Sequence, residues 1–169
     1  LGPTHVVAGA KPTLADGRPG GFYIPRFRNL SERNPKFIRG YGFEGGSGTT
    51  MLPDSVFDTP GFGKDYKKGV RDYAGAMISL GGFGEVLPRY ENYVDIDPEV
   101  KDRWGIPVLR FHYRFGDNEK KMCEDMADAA QEMMEAAGFT VVSLRRSLLT
   151  EGWSIHELGV ARMGTDPKK

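Results

Sequence analysis

Val108-Leu109-Arg110-Phe111-His112-Tyr113-Arg114, together with the run Asp117 to Ala137 that follows it, decides the fold. In the first stretch Leu109, Phe111 and Tyr113 alternate with Arg110, His112 and Arg114, the period of two that puts one set of side chains on each face of a strand. In the second, Met122, Met126, Ala129, Met133 and Ala137 recur at helical spacing, with Ala130 and Met134 beside them. Asp117 or Asn118 can cap this helix, Glu119 favours its first turn, and Gly138 ends it. A Met-rich stripe of this kind reads as a face laid on a core. His112, flanked by Arg110 and Arg114, reads as a solvated or packing residue.

Working outward, Phe139 to Leu144 is a strand after the helix. Before Val108 come further strand readings: Gly21 to Arg28, with Pro25 marking an edge or bulge, Phe37 to Phe43, Phe83 to Leu87, and Tyr90 to Ile96. Asp97 to Asp102 reads as a polar turn. Gly61 to Met77 reads as a second helix, because Tyr66, Val70, Tyr73 and Met77 share one face, and Gly81-Gly82 stop it. Leu1 to Gly20 is loop-like, broken by Pro3, Gly9, Pro12, Gly17, Pro19 and Gly20. The expected fold is α+β: a mostly antiparallel twisted sheet with helices packed on one face. Strands of alternating pattern followed by one long amphipathic helix do not read as regular βαβ units.

Two short patterns invite other readings. Gly40-Tyr41-Gly42-Phe43-Glu44-Gly45 matches G-x-G-x-x-G, but Gly46-Ser47-Gly48-Thr49-Thr50 and then Pro53 follow it. A dinucleotide fingerprint needs a helix opening directly after the glycines, so this run reads as a glycine-rich strand end and loop. Asn29-Leu30-Ser31 fits a glycosylation sequon, a pattern common by chance.

The 169 residues suffice for one domain with a sizeable core. Lys+Arg 23 against Asp+Glu 23 gives a net charge of +0, so nothing points to nucleic acid or an anionic surface. Hydrophobic residues make up 39%, with Gly 23 and Pro 11, which favours short strands and irregular connections. One cysteine precludes an internal disulfide and a cysteine metal cluster. No apolar run approaches the length of a membrane helix. The abrupt start at Leu1-Gly2-Pro3 and the abrupt end at Pro167-Lys168-Lys169 suggest an internal piece of a longer protein.

The chemistry concentrates in Ser154-Ile155-His156-Glu157-Leu158-Gly159-Val160-Ala161-Arg162-Met163-Gly164-Thr165-Asp166-Pro167. Two glycines and a proline make it a loop with a short helical turn at most. His156-Glu157 begins like the zinc motif H-E-x-x-H, but Val160 stands where the second ligand belongs. No metal site is assigned. A structural histidine in a turn is the plain alternative. The run His-Glu-Leu-Gly-Val-Ala-Arg-Met-Gly-x-Asp-Pro also resembles the C-terminal signature of the glucose–methanol–choline (GMC) flavin oxidoreductases, with Val160 in place of the usual Thr. Gly84-Glu85-Val86-Leu87-Pro88, the run Glu91 to Pro98, and Trp104-Gly105-Ile106-Pro107 resemble the same family, closest to the branch acting on sugars, polyols and sugar acids.

The resemblance implies an FAD-dependent oxidation of a CH–OH group of an alcohol, sugar or polyol. His156 corresponds to the family histidine beside the flavin ring and is the candidate base. Hydride leaves a carbinol carbon more easily when a base with a pKa near working pH removes the hydroxyl proton, and imidazole suits that. Gly159 and Arg162 of the signature, and His5, where Thr4-His5 departs from the family's Asp-His, are the candidate cofactor-binding residues. The resemblance also implies a division: residues 1–150 as the substrate-binding domain, 151–169 as the signature loop returning toward the flavin, and the FAD-binding βαβ unit and a second catalytic residue in other parts of the same polypeptide. The isolated chain is then expected neither to retain FAD nor to turn over. A non-catalytic structural or interaction domain of the same fold, with His156 ordinary, is the alternative.

Overall fold

The structure, a computed structural model, describes residues 6–9, 21–47, 61–73, 77–153, 155, 156, 158, 159 and 164–166. Seven strands and two helices follow in chain order: β1 (Val6–Gly9), β2 (Gly21–Pro25), β3 (Tyr41–Ser47), α1 (Gly63–Tyr73), β4 (Met77–Gly84), β5 (Tyr93–Lys101), β6 (Pro107–His112), α2 (Asp117–Ala136) and β7 (Thr140–Leu144). Five strands form one sheet in the order β2-β3-β4-β1-β7, and β5 pairs with β6 in a separate ribbon. Every described pairing is antiparallel, with Phe43 opposite Ile24 and Gly82, and Val6 opposite Leu80 and Leu144. The fold is α+β, as the alternation of the strands requires.

Helix α2 lies on one face of the sheet. Its Met122, Met126, Ala129, Ala130 and Met134 are buried with Phe37, Tyr41, Phe43 and Leu80, and Met133, Phe139 and Val141 pack around them. Full burial of a large apolar side chain such as Phe43 or Met126 stabilises by about 1.5–3 kcal/mol. The single cysteine, Cys123, is buried on the same helix. Gly82 lets the helix approach, since a Cβ there would stand 3.1 Å from both the Met126 sulfur and the Phe43 ring. The helix ends in a Schellman motif. Gly138 takes φ +83°, its N–H donates to the Glu135 carbonyl at 2.9 Å, and the Phe139 N–H donates to the Met134 carbonyl at 3.0 Å.

The cap at the other end differs from the sequence reading. Gly116 is the N-cap, not Asp117 or Asn118. The Glu119 carboxylate reaches back to the Gly116 N–H at 2.7 Å, and Asn118 is drawn away to the Ile38 N–H at 2.8 Å. Element readings also change: the strand read at Phe37 to Phe43 is Tyr41–Ser47, and the one read at Phe83 to Leu87 is the end of Met77–Gly84. Val6–Gly9 is strand β1, held between β4 and β7, although four apolar residues in a Gly/Pro-rich region carry no periodic signal of their own. The first helix stops at Tyr73, and Met77 opens β4, whose Gly81 and Gly82 pair with Glu44 and Phe43 instead of ending a helix. Residues 97–101 continue β5 through an irregularity, so the ribbon reverses at Asp102, whose carboxylate accepts from the Trp104 and Ile106 N–H groups at 2.8 and 2.9 Å.

From Tyr41 on, the G-x-G-x-x-G run lies in strand β3, paired on both sides in an antiparallel sheet, and residues 48–60 after it lie outside the described residues. Its glycines serve side-chain space. A Cβ on Gly42 would enter the Tyr23 ring, and one on Gly45 would enter the Phe22 ring and the Ser79 carbonyl. The sequon residue Asn29 is occupied as well: its amide nitrogen donates to the Phe37 and Arg39 carbonyls at 3.2 and 2.6 Å, closing the β2–β3 connection.

Candidate functional site

The signature segment emerges from the sheet edge through a series of tethers. After β7, Arg146 reaches back to α2, donating to Asp128 at 2.5 Å and to Gln131 at 3.2 Å. Thr150 to Trp153 then form a turn, closed by the Trp153 N–H on the Thr150 carbonyl at 2.9 Å, with Gly152 at φ +79°. Positive φ at the third turn position is the type II arrangement that glycine favours. Inside this turn the Glu151 carboxylate accepts the Phe115 N–H at 3.1 Å and lies 3.6 Å from the Arg114 guanidinium.

Beyond the turn, His156 is exposed. Its apolar neighbours Ile155 and Leu158 are 87% and 96% exposed, so this segment presents a largely uncovered surface. Gly159 sits at φ +100° with open space around its Cα, a conformation that a side chain at that position would strain. The structure therefore brings His156 and Gly159 into one exposed loop. His5 and Arg162 lie outside the described residues, as do Glu157 and Val160.

Residues 114–116 form a junction that sequence reasoning missed. Three successive backbone N–H groups each meet a side chain from a different segment. Arg114 donates to Asn92 Oδ1 at 3.0 Å, Phe115 to Glu151 Oε1 at 3.1 Å, and Gly116 to Glu119 Oε2 at 2.7 Å. The Asn92 amide also donates to the Arg114 carbonyl at 3.1 Å, bracketing that residue. Glu119 is fully buried, and its carboxylate further accepts from Arg89 at 2.6 Å and from the Leu87 N–H at 3.2 Å. Burial pushes this carboxyl up, but the Leu87 and Gly116 N–H groups and the Arg89 guanidinium outweigh it and hold it below the usual glutamate range. A signal for Glu119 existed: with Gly116 as N-cap it falls at N3, the acidic position of a capping box. No sequence signal marks Glu151, whose partner lies 36 residues away.

On the β5–β6 ribbon, His112 is not left between two free cations. Arg110 forks onto Asp95 at 2.9 and 2.7 Å, and His112 Nε2 stands 3.3 Å from the same carboxylate with its ring stacked on Tyr93 at 4.1 Å. The Arg110 guanidinium holds the Asp95 carboxyl below its ordinary range. The opposite face carries Ile96, Leu109 and Phe111, all exposed. A shallow groove of about 380 Å³ runs along the edge strand β7 beside Gln131 and Glu135, and no described residue of the signature lines it.

Neither described helix offers a cradle for a nucleotide pyrophosphate. The N-terminus of α2 is filled by its own Glu119, and Asp65 stands in the first turn of α1. The described residues thus do not fit the nucleotide part of a flavin, and His156 lies in an exposed segment. Among the described residues no three His, Cys, Asp or Glu side chains cluster as metal ligands, and no helix is long and apolar enough to cross a membrane.

Comparison with known proteins assigns the family. Residues 88–169 match the GMC oxidoreductase family model. The 2-methyl-1,2-propanediol dehydrogenase of Mycolicibacterium austroafricanum is 28% identical over 163 residues, 90% of this chain and 29% of that protein. The gluconate 2-dehydrogenase flavoprotein of Pantoea cypripedii is 31% identical over 144 residues, 76% of this chain and 23% of that protein. The C-glycoside 3-oxidase of Arthrobacter globiformis is 30% identical over 90 residues, 53% of this chain and 17% of that protein. The chain spans less than a third of the length of these curated relatives. Its antiparallel α+β fold, its His-Glu-Leu-Gly-Val-Ala-Arg-Met-Gly signature and these similarities agree: the chain belongs to the GMC oxidoreductases.

Proposed function

We propose that this chain is the substrate-binding part of an FAD-dependent enzyme that oxidises the CH–OH group of a small alcohol, sugar or polyol, and that His156 is its base. In this reading residues 1–150 form the substrate domain and 151–169 carry the signature loop to the flavin, whose nucleotide is held by other parts of the same polypeptide. The bound flavin supplies the hydride acceptor. His156 takes the hydroxyl proton as the carbinol carbon is oxidised, which asks for an imidazole that is neutral and reachable. Gly159, Arg162 and His5 are the candidate cofactor-binding residues of this reading, a guanidinium being suited to fork onto carbonyls or acids. The relatives' named substrates, a diol, a sugar acid and a C-glycoside, make polyhydroxylated compounds the class to test first.

The observation that carries this reading is the exposure of His156, flanked by the uncovered Ile155 and Leu158, within the matched family region. The test is flavin reduction in the full-length protein carrying His156→Ala, followed by stopped flow across pH. A fall of about 10²–10⁴ in kcat/KM, with loss of the neutral-range limb of the pH profile, is the expected outcome. A variant that keeps its flavin and reduces it within a few-fold of the parent rate makes His156 structural and supports the non-catalytic reading.

A further inference from the structure

We infer that Glu151 is a positioning residue for His156, fixing the loop that carries the base to the junction between the ribbon and helix α2; this rests on the reading of His156 given above. The argument starts from the junction. The Phe115 N–H is the middle of three successive donors, and its neighbours are already pinned by Asn92 and Glu119. Its position is therefore set by the core, through the buried Glu119 and the buried face of α2. Glu151 takes its acceptor geometry from that fixed N–H at 3.1 Å. The turn at Gly152, closed at 2.9 Å, then leaves four residues of chain between Glu151 and His156.

So short a tether limits how far His156 can stand from Glu151. Five residues fully extended reach at most about 17 Å, and a turn shortens that span. Misplacing a catalytic group by 1 Å can cost about 10²-fold in rate. The two contacts of Glu151 are unequal. Arg114 is 86% exposed at 3.6 Å, so the ion pair contributes little. The bond to the Phe115 N–H is the one that positions, and it needs an acceptor oxygen at the right reach, not a charge. That separates this role from a purely electrostatic one: glutamine keeps the oxygen, whereas aspartate keeps the charge and retracts it by one carbon.

The experiment uses the full-length flavoprotein with E151A, E151Q, E151D, R114A, H156A and the E151A/H156A pair. One readout is independent of turnover: hydrogen exchange of peptides spanning residues 150–159. The other is the limiting rate of anaerobic flavin reduction by the better reductant of 2-methyl-1,2-propanediol and gluconate. E151A and E151D should speed exchange across 150–159 and slow reduction by about 10–100-fold, with substrate Kd within a few-fold. E151Q and R114A should match the parent in both. E151A should slow H156A no further, because it acts through that residue. If E151A fails to accumulate, E151D against E151Q carries the same contrast. Unchanged exchange in E151A or E151D, or E151Q as impaired as E151A, overturns the inference. An impaired H156A beside an E151A at the parent rate removes the positioning role and leaves the base intact. A silent H156A removes the base reading itself, whatever E151A does.

Discussion

Replacing Glu119 tests the junction at its root. The carboxylate is completely buried and gathers donors from Gly116, Leu87 and Arg89 at 2.7, 3.2 and 2.6 Å. Glu119→Ala strands two backbone N–H groups, each costing about 1–3 kcal/mol when unsatisfied. It also removes the partner of Arg89, whose side chain is 26% exposed and regains some water. Breaking a buried pair costs about 3–5 kcal/mol, and the partial exposure of Arg89 puts this one at the lower end, about 3 kcal/mol. Glu119→Gln preserves shape but turns an amide NH₂ toward donors, so about 2 kcal/mol is expected. Hydrogen exchange of peptides covering 113–122 in the full-length protein reads this locally. About 3 kcal/mol corresponds to roughly a hundredfold faster exchange in the alanine variant. The pH dependence has a definite sign. The folded carboxyl titrates below its unfolded value, so its stabilisation is present above the ordinary glutamate range and lost as pH falls through the folded pKa. The gap between parent and E119Q should close in acid. An alanine variant exchanging within threefold of the parent at neutral pH would refute the reasoning.

Tyr41 offers a second titration. Burial, and then its hydrogen bond to Asp125, push its phenol up to about 12 from the ordinary 10.0. A raised folded pKa means that its contribution is fully present below about 10 and fades as pH rises through 12, so ultraviolet difference spectra of parent against Tyr41→Phe should show one phenol ionising about two units late; a midpoint near 10 sinks the assignment. Gly45→Ala should destabilise by about 1–3 kcal/mol, because its Cβ meets the Phe22 ring and the Ser79 carbonyl oxygen at 2.6 Å. Gly105→Ala meets nothing within 4 Å and carries only the strain of φ +83°, about 1–2 kcal/mol; main-sheet exchange in Gly45→Ala no faster than in the parent would contradict the packing account.

What could be read from the sequence depended on how local the determining interaction is. Helix α2 was legible because its stripe repeats over twenty residues and its end is written in Gly138. Strand β1 was not, because Val6 to Gly9 owe their conformation to β4 and β7, whose paired residues arrive 68 to 138 residues later. The glycine-rich run could be read as strand rather than nucleotide loop, yet the reason for its glycines, the rings of Phe22 and Tyr23, needed the register of β2 on β3. The site divides along the same line. His156 could be singled out because a short motif surrounds it, whereas Glu151 and Asn92 act on backbone groups 36 and 22 residues away and leave no pattern in one chain. That asymmetry follows from the chemistry. A base needs an identity and an exposed place, both of which a loop motif can encode. Its precision comes from backbone donors fixed by a core, and a buried carboxylate such as Glu119 is costly unless all its partners are met. The residues that aim the loop are therefore expected at the junction of ribbon, helix and sheet, where the fold is most constrained and the motif says least.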